Sequence, residues 1–175
     1  MDTEVFRIIN DLAGQISWLD TAMAQISKYA VYASILAVLL LFIKDRKAAF
    51  AGVVGIVVGM VLDVLIQLVY SRPHPFMAMD NIQLLAEKEM SASFPSDTAM
   101  MAFAAAMAIC LASRKWGWLS FLAAGIIAIS RVYVGFHFPG DVLAGAVIGL
   151  AVTGGIYGLL PTRKTPWSTQ KHFPM

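Results

Sequence analysis

Between residues 21 and 160 the chain is almost continuously apolar, and the few polar breaks divide it into five runs, 21–43, 48–70, 98–113, 118–136 and 141–160. A bilayer core about 30 Å thick takes about 20 apolar residues in a helix, so four of these runs are of spanning length and the third is short. The breaks are Lys44-Asp45-Arg46-Lys47, Arg72-Pro73-His74-Pro75, Arg114-Lys115-Trp116-Gly117 and Pro139-Gly140. With 59% hydrophobic and 14% charged residues and a mean hydropathy of +0.72, a chain of 175 residues has too little polar surface to cover a water-exposed domain. These features predict an all-α membrane bundle of about five transmembrane helices. They exclude disorder, a coiled coil and a disulfide scaffold, the single Cys110 lying within an apolar run.

The first 20 residues open with Asp2 and Glu4 and lack the basic start of a signal peptide, so they are expected to remain in the mature protein. Val5, Ile8, Ile9, Leu12, Ile16 and Leu19 recur at helical spacing, with Asp2, Arg7, Asn10, Asp11 and Gln15 between them. One interfacial amphipathic helix over 1–20 is expected, lying in the membrane surface or packed on the bundle. The single domain then comprises this helix, a bundle over 21–160 and a tail over 161–175. A net charge of +2 is too small to argue for nucleic acid.

Eight of the thirteen basic residues, Lys44, Arg46, Lys47, Arg114, Lys115, Arg163, Lys164 and Lys171, lie in two connections and the tail. Basic residues are retained on the cytoplasmic side, which puts the tail inside and leaves the N-terminus and the connections 71–97 and 136–141 outside. Within the spans, Lys28 precedes Lys44 by sixteen residues and Asp63 follows Lys47 by sixteen, placing both about 24 Å from the inner face at 1.5 Å per residue. An ion pair between them is expected, since intramembrane charges need partners; the alternative for Lys28 is snorkelling to the interface. Met77, Met79, Met90, Met100 and Met101 read as apolar filler, with a lining for a lipid tail as the alternative.

Chemistry concentrates on the outer connections. In Ser130-Arg131-Val132-Tyr133-Val134-Gly135-Phe136-His137-Phe138-Pro139-Gly140-Asp141, Arg131 offers a planar fork suited to phosphate oxygens. His137, beside a helix break, can present one ring nitrogen to a substrate while Asp141 holds the other. Phe94-Pro95-Ser96-Asp97-Thr98 opens the third run, where a Ser96 or Asp97 cap and free backbone N–H groups favour an anion. Arg72-Pro73-His74-Pro75-Phe76 adds one permanent cation and one titratable one. Each element alone has an ordinary explanation, as a lipid-headgroup contact or a helix cap; the three together point to phosphate.

This ordered set resembles the type 2 phosphatidic acid phosphatase superfamily of integral membrane lipid phosphatases. The short length and the Phe-Pro-Ser-Asp run are similar to its bacterial undecaprenyl-diphosphatases of the bacitracin-resistance type. The resemblance implies a phosphohistidine at His137, oriented by Asp141, with Arg131 and Ser96 holding phosphoryl oxygens and either Arg72 or His74 gripping phosphate. It implies no metal and no other cofactor, a polyprenyl diphosphate as the lipid partner, and a bacterial plasma membrane with the site outside. Oligomeric state stays open.

Two departures stand out. The family's first motif, Lys-x6-Arg-Pro, lacks its lysine here: Gln67 precedes His74 and Leu65 precedes Arg72, with Lys88 of the outer loop as a substitute cation. Thr98 stands where the family has the histidine that acts as general acid, and a threonine hydroxyl does not donate a proton as an imidazolium does. The chain is then a slow natural variant or a deliberately disabled one, and the intact surroundings of Thr98 favour the second. A phosphate-ester leaving group, with a second pKa of about 6, departs without that proton more readily than the alkoxide of a phosphatidic acid. The expected activity is removal of the terminal phosphate of undecaprenyl diphosphate. The alternatives are a broader phosphatase of phosphatidylglycerol phosphate or phosphatidic acid, and a lipid-phosphate binder or transporter without turnover.

Overall fold

A computed structural model describes residues 2–86 and 92–161; Lys88, Met90 and the tail from 162 onward lie outside the described residues. The described residues form helices α1 (Asp2–Asn10), α2 (Ser17–Leu41), α3 (Arg46–Val69), α4 (Pro75–Ala78), α5 (Asp97–Ala112), α6 (Arg114–Tyr133) and α7 (Pro139–Leu159). Helices α2, α3, α6 and α7 are long and apolar enough to cross a membrane. With 16 residues, α5 is shorter, and its position explains why. It packs against α2, α3, α6 and α7, so protein rather than lipid surrounds it. Alanines at 99, 102, 104, 105, 106 and 108, all buried, let four neighbours approach at once.

Each break has a local cause. Asp45 caps α3 by accepting from the Ala48 N–H at 3.0 Å. Pro73 and Pro75 prevent α3 from continuing. Between α6 and α7 the chain turns at Gly135, whose φ of +88° is a left-handed conformation natural to glycine.

The N-terminal segment differs from the single helix expected over 1–20. α1 ends at Asn10, a turn follows, and Ile16 and Leu19 belong to the start of α2. Phe6 and Asn10, four residues apart on one face, are the buried residues of α1, while Val5, Ile8 and Leu12 are exposed. Phe6 packs on Phe138 with ring centroids 5.4 Å apart. Asn10 is not the surface residue its place between apolar neighbours suggested. It donates to the carbonyls of Gln83 and Tyr133 at 2.8 and 2.9 Å and accepts from the Gln83 N–H at 2.9 Å.

The expected Lys28–Asp63 ion pair does not form. The buried residues of α2 are Ser27, Ala30, Ser34, Val38 and Leu41, a stripe that leaves Lys28 exposed. Its ammonium lies 5.5 Å from the Tyr29 ring. Asp63, on the buried face of α3, accepts from Gln67 Nε2 at 2.8 Å. Met100 and Met101 are buried in the bundle with Val38, Ile56, Ala104 and Ala105, so they fill the interior and line no lipid-facing groove.

At one end of the bundle lie α1, the Arg72–Pro75 segment, the start of α5 and the α6–α7 turn. The opposite end carries a cleft of about 660 Å³ lined by Lys44, Arg46, Lys47, Phe50, Tyr157 and Leu160 among others.

Candidate active site

The geometry is built around two imidazoles. Gly135 reverses the chain, and the backbone N–H groups of Phe136 and His137 both donate to the Arg131 carbonyl, at 3.1 and 3.2 Å. His137 is thereby turned inward from the α6–α7 junction and is almost fully buried. Its Nδ1 lies 2.9 Å from the Ser93 carbonyl oxygen. A carbonyl can only accept, so Nδ1 carries the proton and the neutral ring keeps its lone pair on Nε2. His74, also fully buried, has its Nδ1 2.6 Å from the Phe136 carbonyl and is fixed in the same tautomer. The two rings meet edge to face with centroids 5.2 Å apart, and Phe76 stacks on the other side of His74 at 5.1 Å.

Asp141 does not brace His137 by the direct hydrogen bond expected of it. Its Oδ2 is 4.0 Å from His137 Nδ1, because the Ser93 carbonyl takes the nearer position. Both oxygens are engaged elsewhere. Oδ2 accepts from the Ser93 hydroxyl and, at 2.9 Å, from the Phe138 N–H, reaching back across the first turn of α7; Oδ1 accepts from Arg72 at 2.7 Å. Asp141 is therefore connected to His137 through Ser93, a residue outside the three motifs. Ser93 is tied down further by its N–H, which donates to the Arg72 carbonyl at 2.7 Å.

Arg72 was a candidate phosphate ligand, and the structure gives it protein partners. One terminal nitrogen donates to Asp141 and the other to Asp2 at 2.6 Å, and the guanidinium lies 4.0 Å from the centre of the Phe138 ring. Burial opposes its charge, but the hydrogen bond to Asp2 and the charges of Asp141 and Asp2 outweigh it and hold the guanidinium above the ordinary arginine value. A cation held this way stays charged through the whole working pH range.

Arg131 is buried beneath the site. One terminal nitrogen donates to the Ser27 hydroxyl at 2.7 Å and to the Ser27 carbonyl at 3.3 Å, and its guanidinium lies 4.8 Å from the Phe136 ring centre. Its Nε–H has no hydrogen-bond partner among the described residues. Ser96 is the N-cap of α5: its hydroxyl accepts from the Ala99 N–H at 3.5 Å, and its own N–H donates to the Asp141 carbonyl at 3.0 Å, linking α5 to α7. Asp97, expected at the anion site, accepts instead from the N–H and hydroxyl of Thr98 at 2.6 and 3.1 Å, and its charge acts on Arg131. An acceptor-only carboxylate repels phosphate, so Asp97 organises its neighbours rather than gripping substrate.

Sequence reasoning missed Ser93, Ser27 and Asp2. Ser93 carried a weak signal, as a polar residue two positions before Pro95 in the second motif. Ser27 and Asp2 carried none, because they meet their partners only through folding.

Fold and site together define a helical membrane protein with a histidine-centred, anion-directed site at one end of its bundle. The PAP2 superfamily model matches residues 48–165, and the chain belongs to that superfamily. It is 38% identical to the undecaprenyl-diphosphatase BcrC of Bacillus subtilis (strain 168) over 157 residues, covering 87% of this chain and 80% of the relative. It is 35% identical to an undecaprenyl-diphosphatase of Sulfolobus acidocaldarius over 152 residues, covering 85% and 73%. The solved structure of Aquifex aeolicus LpxE shares the fold with a TM-score of 0.80 at 26% identity, covering 89% of this chain and 94% of that one. This is a multi-pass membrane protein of a phosphatase superfamily, as the three motifs led one to expect.

Proposed function

We propose that the chain removes the terminal phosphate of undecaprenyl diphosphate at the extracytoplasmic face of a bacterial plasma membrane, with His137 as nucleophile. The observation that carries this reading is the 2.9 Å contact between His137 Nδ1 and the Ser93 carbonyl, which commits the lone pair to Nε2. Nε2 attacks the terminal phosphorus, the anhydride P–O bond breaks, and undecaprenyl phosphate departs. Water then attacks the phosphohistidine, releasing inorganic phosphate and restoring the ring. The buried, unpartnered Nε–H of Arg131 is a donor that a phosphoryl oxygen would satisfy. The N-terminus of α5, capped by Ser96, lies at the same end of the bundle, where its dipole favours an anion. The undecaprenyl-diphosphatases among the relatives support the substrate class, and with it carrier-lipid recycling and bacitracin resistance. An apolar groove of about 260 Å³ between α2 and α3, lined by Ile35, Val38, Leu39, Val53, Ile56 and Met60 among others, suits a segment of isoprenoid chain.

Thr98 sets the expected rate. Loss of a positioned acid or base costs about 10² to 10⁴ fold, so Thr98→His should raise phosphate release by that order. The test is phosphate release from undecaprenyl diphosphate in detergent, without added metal, for the chain, Thr98→His and His137→Asn. No gain with Thr98→His removes the assigned role of that position. Comparable release from phosphatidylglycerol phosphate and phosphatidic acid would favour the broader phosphatase. Binding of the lipid with no phosphoenzyme, even in Thr98→His, would favour the binder.

A further inference from the structure

Asp2 belongs to none of the three motifs, yet its carboxylate joins two of them. Oδ1 accepts from the Gly140 N–H at 2.8 Å, in the first turn of α7, and Oδ2 accepts from Arg72 at 2.6 Å. The same guanidinium donates to Asp141 at 2.7 Å; Asp141 holds the Ser93 hydroxyl, and the Ser93 carbonyl holds His137 Nδ1 at 2.9 Å. We propose that Asp2 is a positioning residue for the reaction: it locks Arg72 against Asp141 and so fixes, through Ser93, the direction and tautomer of His137. The inference rests on the reading of His137 as the nucleophile.

An arginine with one carboxylate partner can still pivot about that contact on its flexible stem. Carboxylates on both terminal nitrogens fix the plane of the fork. Asp141 is fully buried and cannot follow a moving partner without breaking its bonds to Ser93 and Phe138. Asp2 is itself anchored at a helix N-terminus, where a carboxylate is favoured. The rival possibility is that Asp2 occupies an anion site made of Arg72 and the Gly140 N–H and competes with substrate phosphate. The Asp141 bond and the Phe138 ring 4.0 Å away argue against it, since they occupy one terminal nitrogen and one face of the guanidinium that a phosphate would need.

Steady-state kinetics on the full chain in detergent, with undecaprenyl diphosphate as substrate, separate the two. Asp2→Asn should lower kcat about tenfold to a hundredfold, the cost of a misplaced reacting group, with KM changed less than about twofold. Asp2→Glu should recover much of the loss, and Asp11→Asn, the same charge change in the turn after α1, should have no effect. If Asp2→Asn fails to fold, Asp2→Ser carries the test, keeping an acceptor for Gly140 while releasing Arg72. A lowered KM with kcat retained overturns the proposal in favour of competition, and an unchanged kcat overturns it outright. If neither the parent chain nor Thr98→His releases phosphate or forms a phosphoenzyme, the reading of His137 as nucleophile fails, and NMR of the histidine side chains still decides the positioning. A hydrogen-bonded Nδ1–H signal from His137, present in the parent and in Asp11→Asn, should be lost in Asp2→Asn; its retention overturns the proposal.

Discussion

At the scale of single residues, Thr98 is the position where chemistry and packing part company. Its hydroxyl is bonded to Asp97, and the residue is buried and well accommodated, so nothing in the fold resists a threonine there. What it withholds is a proton carrier. The phosphate-ester leaving group, with a second pKa of about 6, departs without help, whereas water attacking a phosphohistidine gains from a base. The chain should therefore form its phosphoenzyme faster than it hydrolyses it. Rapid quench should show a burst of lipid product followed by slow phosphate release, and Thr98→His should remove the burst by accelerating the second step. Arg131→Lys is expected to raise KM about tenfold or more, because an ammonium cannot keep the Ser27 contacts and also offer a second donor in a fixed plane; an unchanged KM would remove Arg131 from the substrate contacts. Arg131, His137 and Asp141 were legible because they sit in one run of twelve residues whose spacing has chemical meaning. Asp2 and Ser27 were not, being 70 and 104 residues from the arginines they bind, a separation no periodicity reports.

At the scale of elements, the spans and their breaks could be read because length, apolarity and proline act locally. Which face each helix turns inward could not be read as well. Lys28 and Asp63 stand at matching depth, but depth along the axis says nothing about rotation around it, and the buried stripe of α2 passes beside Lys28. Two glycines carry the junctions that place the site. At Gly135 an added Cβ would sit 2.8 Å from the Gln83 carbonyl and force a strained backbone; at Gly145 it would collide with the Ser96 carbonyl, where α7 presses on the cap of α5. Gly135→Ala is expected to cost about 1–3 kcal/mol and most of the activity, while Gly125→Ala, with open space around it, should cost neither. Asn10→Ala leaves the Gln83 and Tyr133 carbonyls without their donor and should destabilise the fold by about 1–3 kcal/mol. Thermal melting in detergent measures all three.

At the scale of the whole molecule, the bundle has two chemically different ends. The histidine site gathers at one and Lys44, Arg46 and Lys47 at the other, and the proposed topology, resting on the retention of basic residues, puts that second end in the cytoplasm. In a Cys110→Ala background, Asp80→Cys should react with a membrane-impermeant maleimide in intact cells, and Ile43→Cys only after permeabilisation. The reverse pattern would place the site inside and contradict an extracytoplasmic reaction. The central α5 completes the arrangement: enclosed by four helices, it can be short, and its capped N-terminus then lies at the level of the site rather than in solvent.

The most direct test of the account is the chemical identity of the trapped intermediate. Undecaprenyl diphosphate labelled in its terminal phosphate, quenched in base during the slow second step and followed by peptide mapping, should give acid-labile phosphate on Nε2 of His137. Phosphate on Nδ1, on another residue, or turnover with no phosphoenzyme at all would contradict a nucleophile whose other nitrogen is held by the Ser93 carbonyl.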